Sequence, residues 1–300
     1  MLQALLTGLA TGAIYGLIAM GYAVVYYVTK VINFATGQLM MCAIMAVAVL
    51  TMHGVNVWLA LIIAVAISTI GAVIIYFLAV RAVLRFDRLS FAWLVSTLGV
   101  GIILESLAAI IWGTSSLPTP VMLNGKDVSL LGGQLTWQQI ITIIVAIVAA
   151  IAVELFRRRT LFGKLGMAIS SDPDTASATG ANVLAYAVLA FALGGLLVGI
   201  AGVLEAPISF ANPYLGDTFG ISGFVALMIG GIERPAASMG GGLLLGVLSI
   251  FASTYINPEA SDWFPFVVVM VILLIVPNGL FVSGGNFRSM GRRLTSRRAT

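Results

Sequence analysis

Runs of about twenty apolar residues, scarcely broken by charge, recur along nearly the whole 300-residue chain. A helix of that length spans the hydrocarbon of a bilayer, and there its backbone groups must be satisfied internally. Full-length candidates lie near residues 5–28, 34–52, 58–80, 91–112, 137–156, 182–205 and 264–282. Between 206 and 263 the pattern changes. A short apolar run near 220–232 is interrupted at Ile232-Glu233-Arg234-Pro235, and a second run covers about 238–255. This predicts a helical hairpin whose first arm is short or broken. With 60% hydrophobic and 9% charged residues, and a mean hydropathy of +1.10, the chain has too much apolar surface for one water-soluble core. The expected fold is an all-α polytopic membrane protein, a bundle of about eight transmembrane helices plus a short or broken one. Residues 1–285 form the transmembrane domain and 286–300 a basic cytoplasmic tail.

Basic residues orient the spans. If the N-terminus faces outside, one side collects Lys30, Arg81, Arg85, Arg88, Arg157, Arg158, Arg159, Lys164, Arg234 and the tail residues Arg288, Arg292, Arg293, Arg297 and Arg298. That is 14 of the 15, with Lys126 alone opposite, and loops on the opposite face carry Asp127, Asp217, Glu259 and Asp262. The segregation marks the basic side as cytoplasmic, with the N-terminus outside and the C-terminus inside. The short clusters beside apolar runs are an orientation signal and not a nucleic-acid face. The first 30 residues lack a basic start and a cleavage site, so they read as a retained first helix and not as a signal peptide. The basic tail is expected to be attracted to anionic lipid.

Several kinds of chemistry are absent from the sequence. A single cysteine, Cys42, rules out an internal disulfide, and a single histidine, His53, sits beside a short turn as an interface residue. No metal cluster or nucleophile–base pairing can be built, and no cofactor is expected. No phosphate-binding loop is present; the nearest string, Gly163-Lys164-Leu165, lacks the spacing and the hydroxyl. The chain is not expected to be an enzyme, and any ATP used must be hydrolysed by partner subunits.

Glycines at four-residue spacing form stripes: Gly8, Gly12 and Gly16, then Gly195 and Gly199, then Gly242 and Gly246. Such stripes let helix backbones approach closely and point to packing. Two segments depart from lipid-facing helix. One is Lys30 to Gln38, where Asn33, Phe34, Thr36 and Gln38 surround Gly37; the other is Gly230-Gly231-Ile232-Glu233-Arg234-Pro235 with Gly240-Gly241-Gly242. Irregular backbone at membrane depth lines a cavity or is buried in protein, and matching interruptions in two halves often mark a pathway or gate; the other reading is that both segments are interfacial caps and turns. Glu105 falls within the fourth span, where an ionisable group faces a cavity or partner. Glu205 closes the sixth span near the outer face, where solvation explains it. In the cytoplasmic stretch 157–182, Ser171 or Asp172 caps a short helix with Pro173 and Asp174 in its first turn, and Gly180 is its stop. A small capped helix on that face suits docking to another protein.

These motifs resemble the permease subunit of branched-chain amino acid ABC importers, the first of that system's two permease types. Ile32-Asn33-Phe34-Ala35-Thr36-Gly37 resembles the family's I-N-F-A-H-G. Asp172-Pro173 with Ala176, Gly180 and Asn182 resembles its D-P-x-x-A-x-x-x-G-x-N loop. Gly230-Gly231-Ile232 with Gly240-Gly241-Gly242 resembles its glycine-rich segment, and Val276-Pro277-Asn278-Gly279-Leu280 its R-P-x-G-L. Thr36 replaces the usual His, Gln38 the usual acid, Glu233-Arg234-Pro235 the usual Gly-Ser, and Val276 the usual Arg. The resemblance covers residues 1 to about 282. It implies inverted internal halves, two ATPase subunits, a second permease chain (a sister or a second copy), an external solute-binding protein, and an inner-membrane location. It makes the segment around 172–180 the helix that couples to an ATPase. Relatives carry urea, amides or aromatic compounds as well as branched-chain amino acids, so the solute class stays open between these. The reading from another class is a secondary transporter or channel, for which Glu105 is the one secure intramembrane charge.

Overall fold

The computed structural model describes residues 1–84, 91–120, 128–130, 133–232 and 234–275. The Val276–Leu280 motif, Glu233, Lys126 and the tail 286–300 lie outside them. Eleven helices occur among the described residues: α1 (Leu2–Thr29), α2 (Thr36–Met52), α3 (Val57–Leu84), α4 (Ala92–Trp112), α5 (Trp137–Arg159), α6 (Leu161–Ser171), α7 (Pro173–Ala178), α8 (Val183–Glu205), α9 (Leu215–Gly230), α10 (Pro235–Tyr255) and α11 (Ala260–Ile275). Within α3 the turns over Tyr76–Arg81 widen to π-helix.

Six of these helices, α1, α3, α4, α5, α8 and α10, are long and apolar enough to cross a bilayer. The expected run at 34–52 is shorter than a full span. α2 starts at Thr36 and has 17 residues, and α9 has 16. At 1.5 Å per residue each is about 25 Å long, less than the ~30 Å hydrocarbon core. Two elements went unread in the sequence. A two-stranded antiparallel hairpin, β1 (Val128–Leu130) with β2 (Gly133–Leu135), lies between α4 and α5. The second is α6, whose buried Gly163, Gly166 and Ile169 recur every three residues; Gly166 lies against Tyr27 and Val28 of α1, and Tyr27 Oη donates to Gly163 O at 3.1 Å.

α1 is the axis of the bundle, buried along most of its length and packed on α10, α8, α9 and α5. Glycine decides how closely. Gly8, Gly12 and Gly16 face Val247, Leu243 and Met239 of α10, and Gly246 returns the contact, since a Cβ there would lie 2.2 Å from Gly12 Cα. The second stripe does the same job elsewhere. Gly195 and Gly199 of α8 lie on Ser68 and Val65 of α3, with Ser68 Oγ donating to Gly195 O at 2.9 Å.

These pairings repeat with the chain direction reversed. α1 packs on α10 as α8 packs on α3, α2 packs on α3 as α9 on α10, and α1 meets α9 as α8 meets α2. Two contacts are their own mates. α1 and α8 cross antiparallel at Gly21 and Gly194, where a Cβ on either would sit 3.1 or 3.0 Å from the other's carbonyl oxygen, and α2 meets α9 at Gly37 and Gly216. The chain is therefore two inverted halves about a pseudo-two-fold axis, as transporter folds often are. All seven described cations, Lys30, Arg81, Arg157, Arg158, Arg159, Lys164 and Arg234, lie at one end of the bundle, called here the Lys30 end.

Replacing Gly246 by Val should separate α1 from α10 and lower the stability of the detergent-solubilised protein by about 1–3 kcal/mol or more. Gly99→Ala, where nothing lies within 4 Å, should melt like the wild type. Equal melting temperatures for both variants would remove the backbone contact as the organising one.

Candidate functional site

The link between α1 and α2 builds the site. Lys30 takes a left-handed conformation (φ 55°), and its N–H donates to Tyr26 O, ending α1. The chain then runs without helix to Asn33, which is 2% exposed. Asn33 Oδ1 accepts from Ala35 N at 3.2 Å, and Asn33 O accepts from Thr36 N at 3.1 Å and Thr36 Oγ1 at 2.5 Å. Asn33 and Thr36 thus close the turn that starts α2 inside the bundle. Phe34 N donates to Thr97 Oγ1 of α4 at 3.3 Å, and the Phe34 ring lies 5.4 Å from that of Phe224 on α9.

The first turns of α2 and α9 meet here. A Cβ at Gly37 would lie 2.0 Å from Gly216 O and 2.6 Å from Gly220 Cα, so only two glycines allow the approach. Gln38, 6% exposed, donates from Nε2 to Asp217 Oδ1 at 2.6 Å. Gly101, half-way along α4, faces Gln38 Oε1, and one turn further Glu105 brings its carboxyl beside that of Asp217. Tyr22 Oη donates to Gly220 O at 3.2 Å and completes the base of the cluster. Asp217 thus stands in the first turn of one helix and bonds the first turn of another. Each helix N-terminus carries about half a positive charge, so one carboxylate compensates both. Glu105 has no such counterpart.

The sequence reading placed Asp217 in a loop on the outer face; the structure places it in the cluster with Gln38 and Glu105. Its signal was the repeat of Gly-polar at Gly37-Gln38 and Gly216-Asp217, one short helix start per half. Gly230 and Gly231, expected to match the Lys30–Gln38 segment, lie instead at the other end of α9. There Ser238 Oγ donates to Gly231 O at 3.1 Å, and Gly231 has φ 104°. Glu205, expected to be solvated, is 7% exposed. The segment after it folds back over the end of α8, with Ala211 bridging Leu117 and Thr119 Oγ1 donating to Ser209 O at 2.8 Å. Span position alone carried no sign of that cover.

At the Lys30 end, the capped helix has the expected form. Asp172 Oδ1 accepts from Asp174 N and Thr175 N, both at 3.1 Å, and Oδ2 accepts from Thr175 Oγ1 at 2.5 Å. Pro173 takes the first helical position, Ala176 is buried, and Gly180 ends the turn at φ 90°, with Ala181 N donating to Ala176 O at 3.0 Å. Asn182 caps α8 through Ala185 N at 3.0 Å. Bonds from the Thr175 hydroxyl and backbone, then from Asp174 N, hold the Asp172 carboxyl below its ordinary range. A depressed folded-state value means that the cap contributes fully above the ordinary carboxylate range and is lost as pH falls through the depressed value. Amide exchange at Asp174 and Thr175 should therefore accelerate in Asp172→Ala at neutral pH, and in the wild type only under strongly acid conditions. Unchanged exchange in the variant would remove the cap.

Two inverted halves, interior helix starts and a carboxyl pair half-way along the bundle are the architecture of a membrane permease. The chain belongs to the family described as branched-chain amino acid transport system / permease component, whose model matches residues 4–276. It is 32% identical over 297 residues to the high-affinity branched-chain amino acid transport system permease protein LivH of Salmonella typhimurium, covering 93% of this chain and 94% of that one. It is 30% identical over 293 residues to BraD, the corresponding permease of Pseudomonas aeruginosa, covering 93% and 95%. A solved structure, PsaBC from Streptococcus pneumoniae in complex with Fab, shares the fold at TM-score 0.50 and 17% identity, over 96% of this chain and 94% of that one.

Proposed function

We propose that this chain is the membrane-spanning permease of an ATP-driven importer of branched-chain, hydrophobic amino acids. In this reading the solute passes along the face that carries Gln38, Glu105 and Asp217. The supporting observation is exposure. Asp217 is exposed and Glu105 half-exposed midway along the bundle, among exposed Ile102, Ile103 and Ile221. A charged carboxyl at that depth costs about 2.5–3.5 kcal/mol or more against lipid, so this face meets a water-filled path or a second permease chain. Asn33, Phe34, Thr36 and Gly37 shape the start of α2 beside the path, and Gly230 and Gly231 form the turn that gates it at the far end of α9. The names of the relatives supply the solute class.

The remaining parts follow from charge. The basic Lys30 end faces the cytoplasm of the cell whose inner membrane holds the protein, with the N-terminus outside and the C-terminus inside. The segment of Asp172, Pro173, Asp174, Ala176, Gly180 and Asn182 then couples to two ABC ATPase subunits, which hydrolyse the ATP, with Ala176 seating the helix from its buried side. A sister permease or a second copy completes the path, and an external solute-binding protein delivers at the opposite end.

Glu105→Ala and Asp217→Ala should each lower uptake by the assembled importer by roughly tenfold or more at unchanged membrane expression. Wild-type uptake in both would take the cluster out of the path. Gly180→Val, at a φ of 90° that a β-branched residue resists, should abolish substrate-stimulated ATP hydrolysis while the complex still assembles. Undiminished stimulation would overturn the coupling assignment.

A further inference from the structure

On the Lys30 half of the bundle, away from the carboxyl cluster, α5 stands off from α1 and α8 and leaves a cavity of about 350 Å³. Its walls are apolar: Val24 and Val28 of α1, Ala149, Val153 and Phe156 of α5, and Leu197 of α8. It opens on the outer surface past Ala152 and Leu196, both exposed. From Ala149 to Arg157 the slot follows α5 for about 12 Å, close to the depth of one leaflet's hydrocarbon, ~15 Å. Exposed Ile144, Val148, Ile151 and Leu155 continue the apolar surface of the same helix.

The end of the slot nearest Lys30 is basic. Arg157 is part of the wall. It donates from Nε to Glu154 Oε2 at 2.9 Å and from Nη2 to Oε1 at 2.6 Å, with its guanidinium 5.8 Å from the Tyr27 ring centre. Glu154 also takes Arg158, so one acid serves two cations. Arg159 and Lys164 are exposed beside Arg157 and Gly163 and make no ion pair among the described residues.

We infer that this slot holds one acyl chain of an anionic phospholipid from the leaflet at the Lys30 end, with the headgroup phosphate on Arg158, Arg159 and Lys164. An apolar groove of leaflet depth that ends in an excess of cations, of which Arg159 and Lys164 make no ion pair among the described residues, matches a lipid along its whole length, and interhelical basic pockets of this kind take anionic headgroups. The alternatives fit less well. The chain's own C-terminal segment carries Arg288, Arg292, Arg293, Arg297 and Arg298, which the same cations repel. A soluble subunit would have to enter about 12 Å of hydrocarbon to reach Ala149.

The test is native mass spectrometry of the full-length chain in detergent, titrated with phosphatidylglycerol or phosphatidylcholine. The wild type should retain one phosphatidylglycerol on the order of tenfold more tightly than phosphatidylcholine. Arg159→Gln with Lys164→Gln should erase most of that preference at unchanged melting temperature. Ala152→Trp, a change at the open lip of the slot, should expel the bound lipid. Three outcomes would overturn the inference: equal retention of both lipids by the wild type, full retention by Ala152→Trp, or a gain of lipid when residues 283–300 are removed, which would mean that the tail had filled the slot.

Discussion

Lipid offers no hydrophobic drive to bring two apolar helices together, so the bundle depends on how closely backbones can approach. The contact between α1 and α10, where Gly8, Gly12 and Gly16 meet Gly242 and Gly246, is the most extended of these approaches. It buries α1 and makes it the post on which α8 is hung at Gly21 and Gly194, and α9 at Gly220 and Gly223. Because the same arrangement recurs at Gly195 and Gly199 against α3, the two halves are tied by equivalent means. A side chain larger than hydrogen at these points would push apart elements that everything else rests on.

That frame forces two short helices to start inside the protein. α1 ends where Lys30 turns the chain, and α2 begins after a capped bend; α9 begins after the segment that covers Glu205. Their N-termini meet, and two positive helix ends in a low-dielectric interior call for negative charge. Asp217 supplies it and is tied to both helices through its own position and through Gln38. Glu105 is in excess of that need. An ionisable group left over from structural compensation, on a face open to the outside, is the physical reason to look for a path there and not in the closely packed glycine seams.

Local chemistry was the most legible part. The Asp172 cap, Pro173, Gly180 and Asn182 act over a few residues, so their geometry is written in adjacent positions, and the structure has it as read. The capped turn at Asn33 was legible as polar residues around a glycine, though its role in starting α2 was not. α6 was missed because it is only 11 residues long, lies between two spans, and buries two glycines and one isoleucine where a long apolar run was sought. Glu205 and Asp217 were misplaced because both sit beside span ends, and hydropathy cannot tell a solvated end from one covered by a returning loop.

By itself, the sequence determined that the chain is a polytopic helical bundle, which end of it is basic, and where its capped helix lies. These are properties of composition and of neighbours along the chain. Only the tertiary structure decided that Gly37-Gln38 is the mate of Gly216-Asp217 and not of Gly230-Gly231, that Glu105 joins them, and that α5 leaves an apolar slot. The partners in the cluster are 179 residues apart for Gln38 and Asp217, and no local pattern encodes a meeting set by the angles at which α1, α8 and α10 cross. Those angles come from backbone contact at glycines, whose consequence appears only when both helices are in place.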